Sequence, residues 1–228
     1  KRREEEEKKR NVTTTNVEKT TTKTNIDMKQ LKDSLVNKEL LTKDEVNKTG
    51  ISNRYISNIG QTATDLAVEA AKILLGKRPH LVSAIDYIIL CTQSADYCLP
   101  SSACLIQERL GLSQTTGTID VNQGCSGFVY SIGLAKGLIE TKQANHVLVI
   151  TADTYSKYIN DQDKSVKTLF GDGAACTLIK GVEDSGGEFI SNPVYGTNGE
   201  GAKNLIVPDG GARNPISDAS YIETKDDS

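Results

Sequence analysis

Asn122-Gln123-Gly124-Cys125-Ser126-Gly127-Phe128 joins two stretches of opposite character. Before it, residues 118–121 are a short β-branched run; after it, residues 128–140 read as a helix. A cysteine therefore falls at a strand-to-helix turn with small residues on both sides. Helix N-terminal amides and the helix dipole favour an anion there, so Cys125 is a candidate thiolate nucleophile. The flanking glycines let a substrate or another segment of backbone come close. The competing reading is a small buried core thiol, the usual fate of an intracellular cysteine.

Outward from this turn, strand and helix signals alternate. Residues 85–92, 116–121, 146–151 and 174–180 read as strands that are apolar nearly throughout, the pattern of strands buried on both faces. Residues 189–192 read as a possible addition to the sheet. Residues 64–75 form the clearest amphipathic helix, with Leu66, Ala67, Ala70, Ala71, Leu74 and Leu75 on one face and Gly76 ending it. A further helix is expected over 100–110, with Pro100 in its first turn and Gly111 after it. Residues 127–140 contain Gly133, Ala135 and Gly137, which fits a central helix packed closely on several sides. Thr42 to Glu45 has the spacing of a capping box, with Gly50 at the far end of the helix it opens. Residues 28–37 read as a short helix, and Asp209-Gly210-Gly211 as a turn. The sum is an α/β layered fold, a mixed or parallel sheet covered by helices.

Residues 1–25 differ from all of this. They are almost entirely charged, Thr or Asn, and read as a polar low-complexity arm ahead of a folded part over 26–228. The net charge of −3 over 228 residues gives no reason to expect nucleic-acid binding. No apolar run approaches the roughly 20 residues of a membrane span, and the charged start has no apolar region behind it. Cys91, Cys98, Cys104, Cys125 and Cys176 lack paired spacing, which points to reduced thiols in the cytoplasm. All but Cys125 read as small apolar fillers. With only His80 and His146, no zinc-type cluster appears, and both histidines read as surface or strand-edge residues.

From Lys48 onward the pattern resembles the ketoacyl-ACP synthase III family of thiolase-like condensing enzymes, N-terminal half. Four stretches carry the resemblance in order: Asn47 to Arg54 with Thr49-Gly50-Ile51; Tyr97 to Gln107 with Leu99-Pro100-Ser101; Asp120 to Phe128 with Cys125-Ser126-Gly127-Phe128; and Leu169 to Ala175 with Phe170-Gly171-Asp172-Gly173-Ala174. The resemblance implies an acyltransferase. Cys125 takes an acyl group from acyl-CoA or acyl-ACP, and the acyl-enzyme condenses with malonyl-ACP, with loss of carbon dioxide, to give a 3-oxoacyl-ACP. A thiolate suits this exchange, because the enzyme thioester remains reactive enough to pass its acyl group on. The Cys125 amide is implied as one oxyanion donor.

Further positions carry over by the same resemblance. Lys48 and Lys164 fall where relatives set basic residues against coenzyme A phosphates, and ordinary solvated lysines are the alternative. Leu99 matches a position that reaches into a partner subunit's acyl pocket, and Phe170 one that lines the pocket. A homodimer working with acyl carrier protein and no cofactor is implied. Near Asp44, where some relatives place an aromatic residue against adenine, none is present, which leaves the choice between CoA and carrier protein open. Phe170-Gly171-Asp172-Gly173 lacks the Lys and Ser/Thr of a phosphate-binding loop and reads as a tight turn supporting the active-site floor.

Two parts of the family pattern are missing. The family's catalytic histidine and asparagine have no counterparts, and neither His80 nor His146 matches. The first strand is not recognisable either, since residues 11–25 show no strand-like alternation. The expectation is a chain incomplete for the full condensation. Competing readings are a specialised condensing enzyme of secondary or glycan metabolism, a non-catalytic dimerisation or binding module with Cys125 idle, and a thiol hydrolase.

Overall fold

A computed structural model describes residues 14–17, 37–160, 162–182, 189–215 and 223–224. Most of the helix expected over 28–37 lies outside them, and Asn37 begins a strand instead. The chain divides into two compact units. One comprises Thr64–Ala152 and Ala174–Pro193 with the strand Thr14–Val17; the other comprises the described parts of Asn25–Ala63, Asp153–Gly173 and Val194–Ser228.

The first unit is built on a five-stranded sheet of order β1-β7-β6-β4-β5. Its strands are β1 (Thr14–Val17), β4 (Tyr87–Cys91), β5 (Gly117–Val121), β6 (His146–Asp153) and β7 (Gly173–Val182). β4 runs parallel to β5 and to β6, whereas β1 pairs antiparallel with β7, so the sheet is mixed. Four of these strands, β4 to β7, were expected with boundaries one or two residues different. β1 was not expected: it lies inside the polar arm, and Thr14 pairs with Val182. An edge strand needs a partner on one side only, and Thr is at home in strands, so no apolar alternation marks it. Phe189 and Ile190 do not extend the sheet. Ile190 instead packs into the core beneath a helix.

The apolar strand runs are explained by burial on both faces. Ile89, Val147, Val149 and Ile179 form one core with Ala135 and Ile139. The alternate set Ile88, Leu90, Leu148, Ile150 and Leu178 is just as fully buried. At about 25 cal/mol per Å² of apolar surface, each such side chain contributes roughly 1.5–3 kcal/mol. Three helices accompany the sheet: α2 (Ala63–Gly76), α3 (Ser102–Arg109) and α4 (Gly127–Glu140). α2 buries Leu66, Ala67, Val68, Ala71 and Leu75, whereas Ala70 and Leu74 of the expected face are only half-buried and Val68 joins it. α4 has the bounds expected of it. Lys136 is buried on its inner face, with its ammonium donating to the Ile190 carbonyl at 2.7 Å.

The second unit is smaller in its regular structure. β2 (Asn37–Leu40) and β3 (Asn53–Ile56) pair antiparallel around α1 (Lys43–Thr49). α1 opens with the expected capping box: Thr42 accepts from the Glu45 amide, and the Glu45 carboxylate accepts from the Thr42 amide at 2.8 Å. Gly50 ends it in the left-handed conformation at φ 72°. A short helix α5 (Lys164–Lys167) and the strand pair β8 (Leu205–Ile206) and β9 (Glu223–Thr224) complete the unit. Ile159 and Val166 form a local core with Tyr155, Tyr158 and Phe170. No helix among the described residues is long and apolar enough to cross a membrane.

Candidate active site

Cys125 sits where β5 hands over to α4. The end of β5 stays paired, because the Val121 carbonyl accepts from the Thr92 amide at 3.1 Å and from the Gln123 amide at 3.1 Å. The chain then reverses: Gly127 N–H donates to the Gly124 carbonyl at 2.8 Å, with Cys125 and Ser126 at the corner. Beneath the corner, the buried Cys91 thiol donates to the Gln123 carbonyl at 3.2 Å. Space there admits only glycine. A Cβ on Gly127 would lie 2.1 Å from Cys91 Sγ, so Gly127 lets the helix start against the end of β4.

The outcome is an exposed Cys125 thiol two residues ahead of a 14-residue helix. Ser126 occupies the N-cap position but makes no side-chain cap bond. The amides of Gly127, Val129 and Tyr130 are instead held by the Gly124 and Ser126 carbonyls. Among the described residues, neither the thiol nor the amide of Cys125 has a hydrogen-bond partner. An exposed thiol, an open backbone amide and the positive end of a helix are brought together at one corner.

Leu99 belongs to the same unit. It stands in the loop before α3 with 82% of its surface exposed, beside Tyr97 at 61%. α3 begins at Ser102 rather than at Pro100, because Asp120 supplies its cap from a distance. The Asp120 carboxylate accepts from the Ser102 amide at 2.6 Å and from the Ala103 amide at 2.8 Å.

Lys48, Lys164 and Phe170 lie in the second unit. Lys48 is an exposed residue of α1 whose ammonium pairs with Asp44 at 3.0 Å. An exposed pair of this kind is worth ~0.3–0.5 kcal/mol, so a phosphate competes with it easily. Lys164 begins α5. Phe170 is half-buried and stacks on Tyr155, with ring centroids 5.1 Å apart. Its carbonyl accepts from Arg54 Nη1 at 3.1 Å.

Asp172 holds the segment that leads from Phe170 into β7. Its buried carboxylate accepts from the Ser57 amide at 2.7 Å and from the Ser156 amide at 2.9 Å, and also from the Ser156 hydroxyl. Its own amide donates to the Tyr55 carbonyl at 2.8 Å. A Cβ on Gly171 would come within 3.1 Å of that same carbonyl, so the loop lies flat on β3. The expected tight turn is not there: residues 170–172 form no turn or bend, and they lead straight from the end of the preceding turn into β7 at Gly173. Nothing local in the sequence announced the capping role of Asp120 or the Ser57 and Ser156 partners of Asp172.

The remaining thiols and the histidines play other parts. Cys91 is buried, but Cys98 is exposed, so it is not the apolar filler expected of it. Burial pushes the Cys176 thiol up to about 12, which makes it a poor nucleophile. His80 is exposed on a 3-10 turn, and His146 starts β6. No group of three His, Cys, Asp or Glu among the described residues is arranged to hold a metal ion.

Comparison with known proteins agrees with this geometry. The family model described as 3-oxoacyl-[acyl-carrier-protein] synthase III matches residues 119–199, from β5 through the Cys125 turn and beyond β7. A beta-ketoacyl-[acyl-carrier-protein] synthase III of Caldanaerobacter subterraneus is 38% identical over 196 residues, which is 85% of this chain and 56% of that protein. A crystal structure of 3-oxoacyl-(acyl-carrier-protein) synthase III superposes with a TM-score of 0.70 at 49% identity, covering 76% of this chain and 51% of the other. The enzyme from Thermus thermophilus gives 0.68 at 29% identity, over 82% of this chain and 58% of its own. The chain thus spans about half the length of the curated relatives it matches.

Proposed function

Because the chain belongs to the 3-oxoacyl-ACP synthase III family, we propose that Cys125 is the acyl acceptor of a decarboxylative condensing enzyme. The thiolate attacks the carbonyl of an acyl thioester, a carbon–sulfur bond forms, and the donor's thiol leaves. Malonyl-ACP then loses carbon dioxide, and the resulting enolate carbon attacks the acyl-enzyme carbonyl. A carbon–carbon bond forms and the Cys125 thiolate is released with a 3-oxoacyl-ACP. Neither step calls for a cofactor, since the leaving groups are thiolates and the electrons of the lost carboxylate make the new bond.

The observation that carries this reading is the exposed, unpaired thiol at the uncapped start of α4. Lys48 and Lys164 are assigned to the phosphates of the acyl donor, and Leu99 and Phe170 to the acyl chain. The working form is a cytoplasmic homodimer served by acyl carrier protein. Enolate stabilisation calls for donors beyond Cys125. The exposed His80 and the strand-starting His146 are not assigned to it, so acylation is the step expected of this chain.

Intact-mass measurement after mixing with acetyl-CoA or acetyl-ACP tests the assignment. A single acyl adduct that disappears in Cys125→Ala is expected. No adduct with any short acyl donor would overturn the reading and favour a binding module, whereas thioester hydrolysis without an adduct would favour a hydrolase.

A further inference from the structure

We propose that Cys91 is a positioning residue for acyl transfer: from beneath the corner it fixes the Cys125 amide and thiol in the relation that attack on a thioester demands. The proposal rests on the acyltransferase reading of Cys125 given above.

Cys91 is the last residue of β4, which lies between β5 and β6 in the sheet. It pairs with Val121 on one side and Thr151 on the other, and it is 3% exposed. Its thiol donates to the Gln123 carbonyl at 3.2 Å, two residues before Cys125. Two residues after Cys125, Gly127 rests on the same sulfur, which would lie 2.1 Å from a Cβ there. The next residue, Thr92, donates from its amide to the Val121 carbonyl at 3.1 Å, so the end of β5 is held as well. One buried side chain thus touches both limbs of the corner, and between them the Cys125 side chain stands exposed.

Attack on a thioester carbonyl makes two demands at once. Sulfur must reach the carbonyl carbon, and a donor must meet the oxygen as it gains charge. Both groups at this corner belong to Cys125, so the backbone on either side sets how they point. Gly124 has no side chain to restrict it, which leaves the Cys125 amide to be oriented by anchors at Gln123 and Gly127. Alkylation at a saturated carbon makes only the first demand, since no oxyanion forms.

The test measures two rates on the full chain: acylation of Cys125 by acetyl-CoA, and its alkylation by iodoacetamide. Both are read by peptide mass, so that the exposed Cys98 is counted apart. Cys91→Ala is expected to slow acylation on the order of tenfold, through the maximal rate rather than KM, while alkylation stays within about twofold. Cys91→Val likewise removes the donor and is expected to behave the same way. It decides the matter should Cys91→Ala fail to fold. Cys91→Ser returns a donor to the Gln123 carbonyl and is expected to recover most of the acylation rate. A packing role alone would rank the variants by stability, with the more polar serine no better than alanine. Unchanged acylation without the donor, an equal loss in Cys91→Ser, or a parallel fall in alkylation would overturn the positioning role and leave the acyltransferase reading intact. A wild-type chain that alkylates at Cys125 but never acylates would overturn that reading, and this proposal with it.

Discussion

The Cys125 turn and the Asp172 segment both carry glycines and both adjoin a strand of the sheet, yet they treat their polar groups in opposite ways. At Asp172 the carboxylate is saturated, with both oxygens held by Ser57 and Ser156. At Cys125 neither thiol nor amide has a partner among the described residues. A satisfied buried carboxylate fixes a backbone, whereas an unsatisfied exposed corner is ready for an incoming group. The difference separates a saturated segment from an open one on hydrogen bonding alone.

That contrast can be broken by substitution. Cys125→Ala should abolish acyl-adduct formation yet change stability by less than ~0.5 kcal/mol in urea unfolding, because the side chain is exposed and unpaired. Asp172→Ala should do the reverse in kind. It leaves the Ser57 and Ser156 donors buried without an acceptor and should cost about 3 kcal/mol by the same measurement. Equal stability loss in the two variants would erase the distinction.

Gly127→Ala probes the support beneath the reactive corner. The added methyl meets Cys91 Sγ and should cost about 2 kcal/mol. Cys91→Ala in the same chain should restore part of that loss, a coupling that a double-mutant cycle measures directly.

Smaller effects are expected away from both segments. Burial and the Lys180 charge hold His146 below its ordinary 6.5, with Asp86 partly offsetting them. The unfolded chain therefore takes up a proton that the native chain resists. The contribution of His146 is complete above about 6.5 and declines as pH falls through that value. His146→Gln should flatten the acid side of a stability–pH curve. Lys48→Ala should leave stability within ~0.5 kcal/mol, and a raised KM for acyl-CoA would sharpen its assignment to the donor.

Local signals were legible in the sequence and long-range ones were not. The capping box at Thr42 and Glu45, the α4 boundaries and the Gly50 C-cap each depend on neighbours within a turn or two, and each stands as read. The cap on α3 comes from a carboxylate 17 and 18 residues away, so Pro100 drew the expected start two residues too early. β1 is invisible to periodicity because its stability comes from β7 rather than from its own pattern. At the candidate site, the strand-to-helix turn carrying Cys125 was legible from the small residues around it. The contact beneath it, from Cys91 to the Gln123 carbonyl, was not, since Cys91 is a partner only in three dimensions.

The pairing of Thr14–Val17 with the far end of β7 also bears on synthesis. A ribosome makes that strand among the earliest of the described elements and its partner among the last. At roughly 5–20 residues per second the interval is on the order of ten to thirty seconds. β4, β5 and β6 can assemble in the meantime, since their parallel ladders lie between. Until β7 arrives, the edge of β6 that it covers presents unpaired amides and carbonyls, an invitation to pair with another nascent chain. A Thr- and Asn-rich strand suits that wait, because it stays hydrated until its docking edge exists.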